Sequence, residues 1–397
     1  APQEIIGVTR PTKTGYGVWA VAAGSGPRTL LVMTGDQVQR AASVNANLPS
    51  SWRQPNQAAD LIIITHSSLL ASAAPLKAYR ESQGLRVAVV DVEDIFDEFS
   101  YGNKSAYAIR DFLAYAKTNW QRAPRFVLLL GDASYDPKNY LGRGDFDLVP
   151  TKLIDTQFME TASDDWLADF SGTGQAEMAV GRLPVRGADE AARMIDKIIS
   201  YERTAPTGGT LIVSDSSDNF AFDRAGDQLR TLIPPGVAVE QIDRGQLGTA
   251  AAKQALLDRL QRGQRVVNYL GHGSVDLWRD NLLTSAEARG LTNGDRLPLF
   301  VAMTCLNGYF QDTATDSLAE SLMKAERGGA IAVWASSGIT LPAGQSLMNQ
   351  QLYKLLFDTN AKGGTLGELT LKAKAKISDP DIRRTWILFG DPTTAWR

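Results

Sequence analysis

One cysteine, Cys305, and two histidines, His66 and His272, occur in the whole chain, so the search for thiol chemistry is short. A thiol is weakly ionised near neutrality and becomes a nucleophile when a nearby histidine takes its proton or stabilises the thiolate. Cys305 closes the apolar run LFVAMTC, and His272 closes VVNYLGH. Both therefore fall at the carboxyl ends of predicted strands, where open α/β sheets gather ligands and catalytic groups. The segment between them carries a helix pattern too short for a domain, as a crossover between neighbouring parallel strands requires. That arrangement predicts an imidazole beside a thiol.

A lone cysteine is more often a small buried hydrophobe, yet the LNGYF after Cys305 is polar and turn-forming, so the thiol should be displayed in a loop. Gly271 and Gly273 flank His272. They suit a tight turn, and they equally let a substrate carbonyl approach, with the N–H groups of Gly273 and Cys305 as oxyanion donors. His66 also ends a strand, in IIITH, but leads into a different helix pattern without glycines and reads as structural. Other nucleophile systems fail on inspection. A Cys-x5-Arg phosphatase loop would need arginine where Gln311 stands, and neither G-x-S-x-G nor G-x-x-x-x-G-K-[ST] occurs. A single cysteine also excludes an internal disulfide and a cysteine-based zinc cluster.

The elements that must hold these residues are legible as short apolar runs: LIIIT (61–65), RVAVVDV (86–92), FVLLLGD (126–132), EMAVGR (177–182), TLIVSD (210–215), RVVNYLGHG (265–273), LFVAMTC (299–305) and AIAVWAS (330–336). Such runs fit strands buried on both faces. Helical spacing fills the gaps, as in KSAYAIRDFLAYAKTNW and ADEAARMIDKIISYERT. The fold class is α/β, with a mainly parallel sheet, or two side by side, flanked by helices. Residues 1–57 differ: GYGVWAVAAGSG and TLLVMTG predict a short β-rich segment, either the remnant of an upstream domain or an edge hairpin. LPSSWRQPNQAAD reads as a linker, and TAPTGG (204–209) marks a second boundary, giving subdomain A at 58–206 and a catalytic subdomain B at 207–397.

Composition narrows the function classes. With 44% hydrophobic and 21% charged residues the chain belongs with soluble globular proteins, and no apolar run approaches the roughly 18 residues of a membrane span. A net charge of −3 without a basic stripe excludes nucleic acid as a partner. The opening APQEII has neither basic nor apolar signal regions, so the chain reads as a mature or trimmed piece. In SDDWLADFSGTGQAE, Asp165, Asp169, Ser171, Thr173 and Glu177 could offer oxygens to calcium, although the same composition makes a plain turn before EMAVGR.

NYLGHGSVDLW followed by LFVAMTCLNGYF resembles the histidine and cysteine motifs of the gingipain family, relatives of caspases and legumains. The order of the two residues and their separation of 33 positions are similar too. The resemblance runs through ADLIIITH, FVLLLGD, AVGRLPVR and IISYER to GGAIAVWAS and TWILFGDP, residues 58–397. It implies a caspase-like fold and a cysteine endopeptidase acting on proteins or peptides, with Cys305 as nucleophile and His272 as general base. It further implies Asp215 by position as the carboxylate orienting the imidazole, with Asp218 as the next choice. Asp223 would floor a pocket for a basic P1 residue, walled by Trp334, Ser336 and Ser337. No cofactor is required, calcium being the one the family would add. The resemblance also implies a longer exported precursor located in the periplasm, at the cell surface or outside the cell. Two other readings keep the fold: a catalytically lapsed binding or scaffold module of a cell-surface protein, and a transpeptidase or acyltransferase using the same dyad. The presence of both Cys305 and His272 favours an active enzyme, whereas the acceptor, water or amine, is not encoded in these residues.

Overall fold

The computed structural model describes residues 8–19, 25–27, 40–41, 44, 46–205, 208–358 and 364–397. The chain divides into two compact units between Leu48 and Pro49. In the first, β1 (Val8–Thr12) and β2 (Gly15–Trp19) form an antiparallel hairpin; the apolar run expected at 29–35 lies outside the described residues. The stretch read as a linker is tied down within the second unit from Ser50 onward. Ser50, Trp52 and Arg53 all donate hydrogen bonds to Glu98, and the Trp52 ring packs on Phe112 and Trp120.

All eight apolar runs of the second unit form strands. In chain order the strands are β3 (Leu61–Thr65), β4 (Val87–Asp91), β5 (Phe126–Leu130), β6 (Lys152–Asp155), β7 (Glu160–Ser163), β8 (Ala179–Leu183), β9 (Thr210–Ser214), β10 (Val239–Asp243), β11 (Val266–Leu270), β12 (Leu299–Met303), β13 (Ala332–Ser336) and β14 (Trp386–Phe389). Among the described residues, ten of them make one sheet in the order β10-β9-β11-β12-β13-β14-β8-β5-β3-β4, and β6–β7 is a separate hairpin. The strands of residues 58–206 fill one half of the sheet and those of 207–397 the other. Pairing is parallel within each half up to β13, to which β14 runs antiparallel. The halves meet through the single pair Phe389–Arg182. This is the mainly parallel, helix-flanked sheet expected from the runs.

Side chains alternate across a strand, and here both faces are apolar. Leu61 and Ile63 enter one core with the helices Leu70–Ser82 and Ala188–Arg203. Ile62 and Ile64 enter another with Val92–Ser100 and Ala106–Asn119. Each such side chain, fully buried, contributes about 1.5–3 kcal/mol, so a strand buried on both faces is held firmly enough to fix the residues just past its end. Register completes the placement: Ser214, Leu270 and Met303 lie level across β9, β11 and β12. The next one or two residues on each strand are Asp215, His272 and Cys305.

Candidate active site

Asp215 leaves β9 with its N–H bonded to the Leu270 carbonyl at 2.9 Å, and its carboxylate is fully buried. Arg244 meets Oδ1 through Nε and Nη2, each at 2.6 Å. The other oxygen accepts the backbone N–H of His272 at 3.1 Å. Sequence reasoning placed Asp215 beside the imidazole ring; it holds the backbone of the histidine instead, because it sits only one residue past the level strand ends. The ring belongs to Asp218, whose Oδ2 lies 2.9 Å from His272 Nε2. Burial pulls the Asp218 carboxyl upward, but the Phe220 N–H, the His272 ring and Arg279 outweigh it, and the group is held below its ordinary value.

With a proton on Nε2 facing Asp218, the neutral ring presents the Nδ1 lone pair for a proton from another group. Phe222 packs edge-on against the imidazole at 5.3 Å. The glycines beside His272 are required by close packing. A Cβ at Gly271 would stand 2.4 Å from Tyr269 Oη and 2.5 Å from Asp215 Cβ; one at Gly273 would stand 2.8 Å from Thr304 Oγ1. Tyr269, stacked on Trp278, also donates its hydroxyl to the His272 carbonyl.

Cys305 is half-buried in a loop, and its Sγ donates to the Thr340 carbonyl at 3.5 Å. Burial pushes the thiol above its ordinary value. Iodoacetamide alkylation of the free protein is therefore expected to be slow at neutral pH and to accelerate above the range of an exposed thiol; a rate already maximal near neutrality would instead reveal a preformed thiolate. Directly after Cys305, Leu306 adopts φ +62°, a left-handed conformation that L residues rarely take. The Asn307 N–H turns back to the Cys305 carbonyl at 2.8 Å, so the nucleophile candidate sits at the start of a tight turn carrying about 1–3 kcal/mol of backbone strain.

Asn307 ties the two loops together. Its buried amide donates to the Ser274 carbonyl at 2.6 Å and accepts the Trp278 indole N–H at 2.8 Å. The helix Leu318–Lys324, opened by a Ser317/Glu320 capping box, adds to the clamp. Its Leu318 and Ala319 N–H groups bond to Val275 and Asn307 carbonyls. Two amides at this junction are left without a backbone partner among the described residues. Gly273 opposes Trp278 in a ladder whose bonds run from Ser274 to Leu277 and from Arg279 to His272, so its own N–H points away from the ladder. Among the described residues neither the Gly273 nor the Cys305 N–H has a backbone acceptor.

Several expected residues lie elsewhere. Trp334, Ser336 and Ser337 have no exposed surface, because central strand β13 is covered on both faces. Trp334 packs on Trp386, Ser336 bonds to the Gly338 carbonyl, and Ser337 bonds to the Ala162 carbonyl. They form no pocket wall; Ile339 and Leu341 are the exposed members of that stretch. Asp223 sits in the first turn of the helix Phe222–Arg230, bonded to Ser217 at 2.6 Å. It borders a cavity of about 270 Å³ with Asp227, Gln241 and Asp243, at the carboxyl ends of β9 and β10. His66 caps a short helical turn by accepting the Ser68 N–H.

In the loop offered to calcium the candidate side chains have partners within the protein. Asp165 is paired with Lys374 at 2.7 Å, and Glu177 with Lys117 at 3.2 Å. Asp169 accepts the N–H groups of Thr173 and Gly174, while Ser171 and Thr173 bond to each other. Among the described residues no three acidic, histidine or cysteine side chains converge. Sequence reasoning missed Arg244, Arg279, Asn307 and Thr340. Only Asn307 had a local signal, its place in the LNG turn, and that signal was spent on explaining the loop.

The sequence pattern of peptidase family C25 matches residues 54–397. Gingipain R2 of Porphyromonas gingivalis is 25% identical over 338 residues, covering 79% of this chain and 43% of that protein. Lys-gingipain W83 of the same organism is 33% identical over 168 residues, covering 41% of this chain and 10% of the relative. The chain thus spans less than half the length of these curated relatives. The crystal structure of the Arg-specific cysteine proteinase gingipain R superposes with a TM-score of 0.72 at 22% identity, covering 88% of this chain and 80% of that one. The caspase-like fold is shared.

Proposed function

The chain belongs to peptidase family C25, and from that premise we propose that it is a cysteine endopeptidase in which Cys305 attacks the scissile carbonyl. The observation that carries the reading is the placement of His272 and Cys305 two residues beyond the paired positions Leu270 and Met303 of neighbouring strands. His272 Nδ1 takes the thiol proton as Sγ bonds to the carbonyl carbon, and Asp218 on Nε2 stabilises the imidazolium that results. The carbonyl oxygen, now an anion, is received by the N–H groups of Gly273 and Cys305, which have no backbone acceptor among the described residues. The imidazolium then protonates the departing amine, and water, deprotonated by the same ring, releases the acyl group from sulfur. Before attack, Sγ must exchange its bond to the Thr340 carbonyl for the imidazole. A peptidyl acyloxymethyl ketone library read by mass tests this: a covalent adduct on Cys305 is expected, and its absence across the library overturns the assignment.

The substrates are proteins or peptides, and an exported setting rests on the family likeness alone. A basic P1 preference is taken from the family likeness, and Asp223, whose cavity also holds the carboxylates of Asp227 and Asp243, is its candidate counter-charge, since a charged side chain enters a pocket at low cost only when a counter-charge meets it. Asp223→Asn is expected to narrow the ratio of kcat/KM for P1 arginine over P1 citrulline by about tenfold, the size of one weakened charge contact. An unchanged ratio removes Asp223 from the pocket. Because the loop at 165–177 bonds to itself and to lysines, a chelator is expected to shift Tm by no more than about 1 °C. A larger fall would place a structural metal in the protein.

A further inference from the structure

Residues 309–312 continue the cysteine loop away from the histidine, and Tyr309, Gln311 and Asp312 line a second cavity, of about 470 Å³, with Tyr135, Leu153 and Glu160. Asn307 faces the histidine loop; four residues on, Gln311 faces β7, its Nε2 donating to Thr161 at 2.9 Å and its carbonyl accepting the Tyr135 N–H at 3.0 Å. The lining is rich in acceptors. Glu160 and Asp312 bring carboxylates, Tyr135 and Tyr309 bring aromatic rings, and no lysine or arginine is among the lining residues. Gln311 supplies the independent sign of a ligand: its side chain is buried to 1% exposure, yet Oε1 has no hydrogen-bond partner. A buried acceptor left unmet costs about 1–3 kcal/mol, and it needs a donor from outside. The field agrees: burial pushes the Tyr309 phenol up, and Asp312, Tyr135 and Glu160 push it further.

We propose that this cavity is a binding subsite for a cationic side chain, arginine or lysine, at a position of the peptide substrate other than P1. A guanidinium or ammonium would bring N–H donors to Gln311 Oε1, charge to Glu160 and Asp312, and a cation to the tyrosine faces. The proposal rests on the peptidase reading for the name of its substrate, and because the cavity and the Asp223 cavity lie on different loops, the two charge preferences are separable. Asp312 also accepts the Ala314 N–H, which asparagine can still do; Glu160 is exposed, so Glu160→Gln leaves the core untouched.

The test uses peptides that differ at one position at a time by arginine or its uncharged isostere citrulline, in two measurements. Cleavage by the wild type is expected to favour arginine at one position outside P1 by about tenfold or more, with the ratio falling toward one in Glu160→Gln/Asp312→Asn and persisting in Asp223→Asn. Fluorescence anisotropy of the same peptides, labelled, on a Cys305→Ala background is expected to show the same preference in Kd. A ratio that the Glu160/Asp312 substitutions leave unchanged overturns the subsite. If the wild type cleaves no peptide, binding decides: arginine-dependent binding that needs Glu160 and Asp312 upholds the subsite while the peptidase reading falls. Charge-independent binding, or none, overturns the subsite itself.

Discussion

Cys305→Ala is expected to lower kcat/KM for peptide hydrolysis by about four to six powers of ten, the scale seen when a covalent nucleophile is removed. The fold should survive, since the thiol is half-buried, makes one weak bond to Thr340 and is replaced by a methyl group of similar position. His272→Ala should be comparably severe, because nucleophile and base act as a unit and losing either loses both. His66→Ala should stay within about twofold of wild type, its ring doing no more than cap a short helical turn. Steady-state kinetics with one fluorogenic peptide decides all three. Turnover near wild type in Cys305→Ala would remove the thiol from the chemistry; a severe His66 and a mild His272 would exchange the two histidines. A wild type that neither hydrolyses nor takes a peptidyl ketone would return the chain to the scaffold reading.

Eight of the ten strands of the sheet were legible in the sequence, most of them because they are buried on both faces; β10, partly exposed and mixed in polarity as VEQID, and the four-residue β14 were not among the apolar runs. LIIIT, FVLLL and LFVAM carry a single polar residue among them, Thr65, and an element that is apolar almost throughout announces itself without periodicity. β6 and β7 were not legible. KLID and ETAS are short, partly exposed and mixed in polarity, and β7 is tied to Ser337 and to the Arg384 carbonyl by contacts that no local signal encodes. Cys305 and His272 were found because the chemistry needs rare residue types at strand ends, and rarity made the search short. The wall of the P1 pocket was misread for the opposite reason. Proximity in sequence to a strand end says nothing about which side chains face outward, and in AVWASSGIT β13 is covered on both faces, which buries Trp334 and Ser336, while Ile339 beyond the strand is exposed. Arg244 lies 29 residues from Asp215 in sequence and touches it; such a pair exists only after β9 and β10 have aligned.

The two aspartates near His272 should separate cleanly into a rate effect and a stability effect. Asp218 meets the imidazole from a partly exposed position, and the ion pairs of exposed groups contribute about 0–1 kcal/mol to folding. Asp218→Asn should therefore leave Tm within about 1 °C while lowering kcat/KM about 10–100-fold, less than for a fully buried orienting carboxylate because solvent and Arg279 share the site. The carboxyl is held below its ordinary value, so it is charged through the mildly acid and neutral range; the deficit should stay constant between about pH 5 and 8 and shrink only as the wild-type group protonates at lower pH. Asp215 is the reverse case. It is wholly enclosed, with Arg244 against one oxygen and the His272 N–H on the other. Neutralising it leaves a buried guanidinium short of charge, at a cost of about 3 kcal/mol, the lower end of the range for a broken buried pair because Asp280 still faces Arg244. Asp215→Asn should accordingly lower Tm by several degrees and loosen the histidine loop, so that its loss of rate grows with temperature. Paired thermal melts and rate measurements on the two variants decide the matter. If Asp215→Asn costs rate alone and Asp218→Asn costs stability alone, the carboxylate that orients the imidazole in the working enzyme is Asp215, and the loop carrying Asp218 must move before catalysis begins.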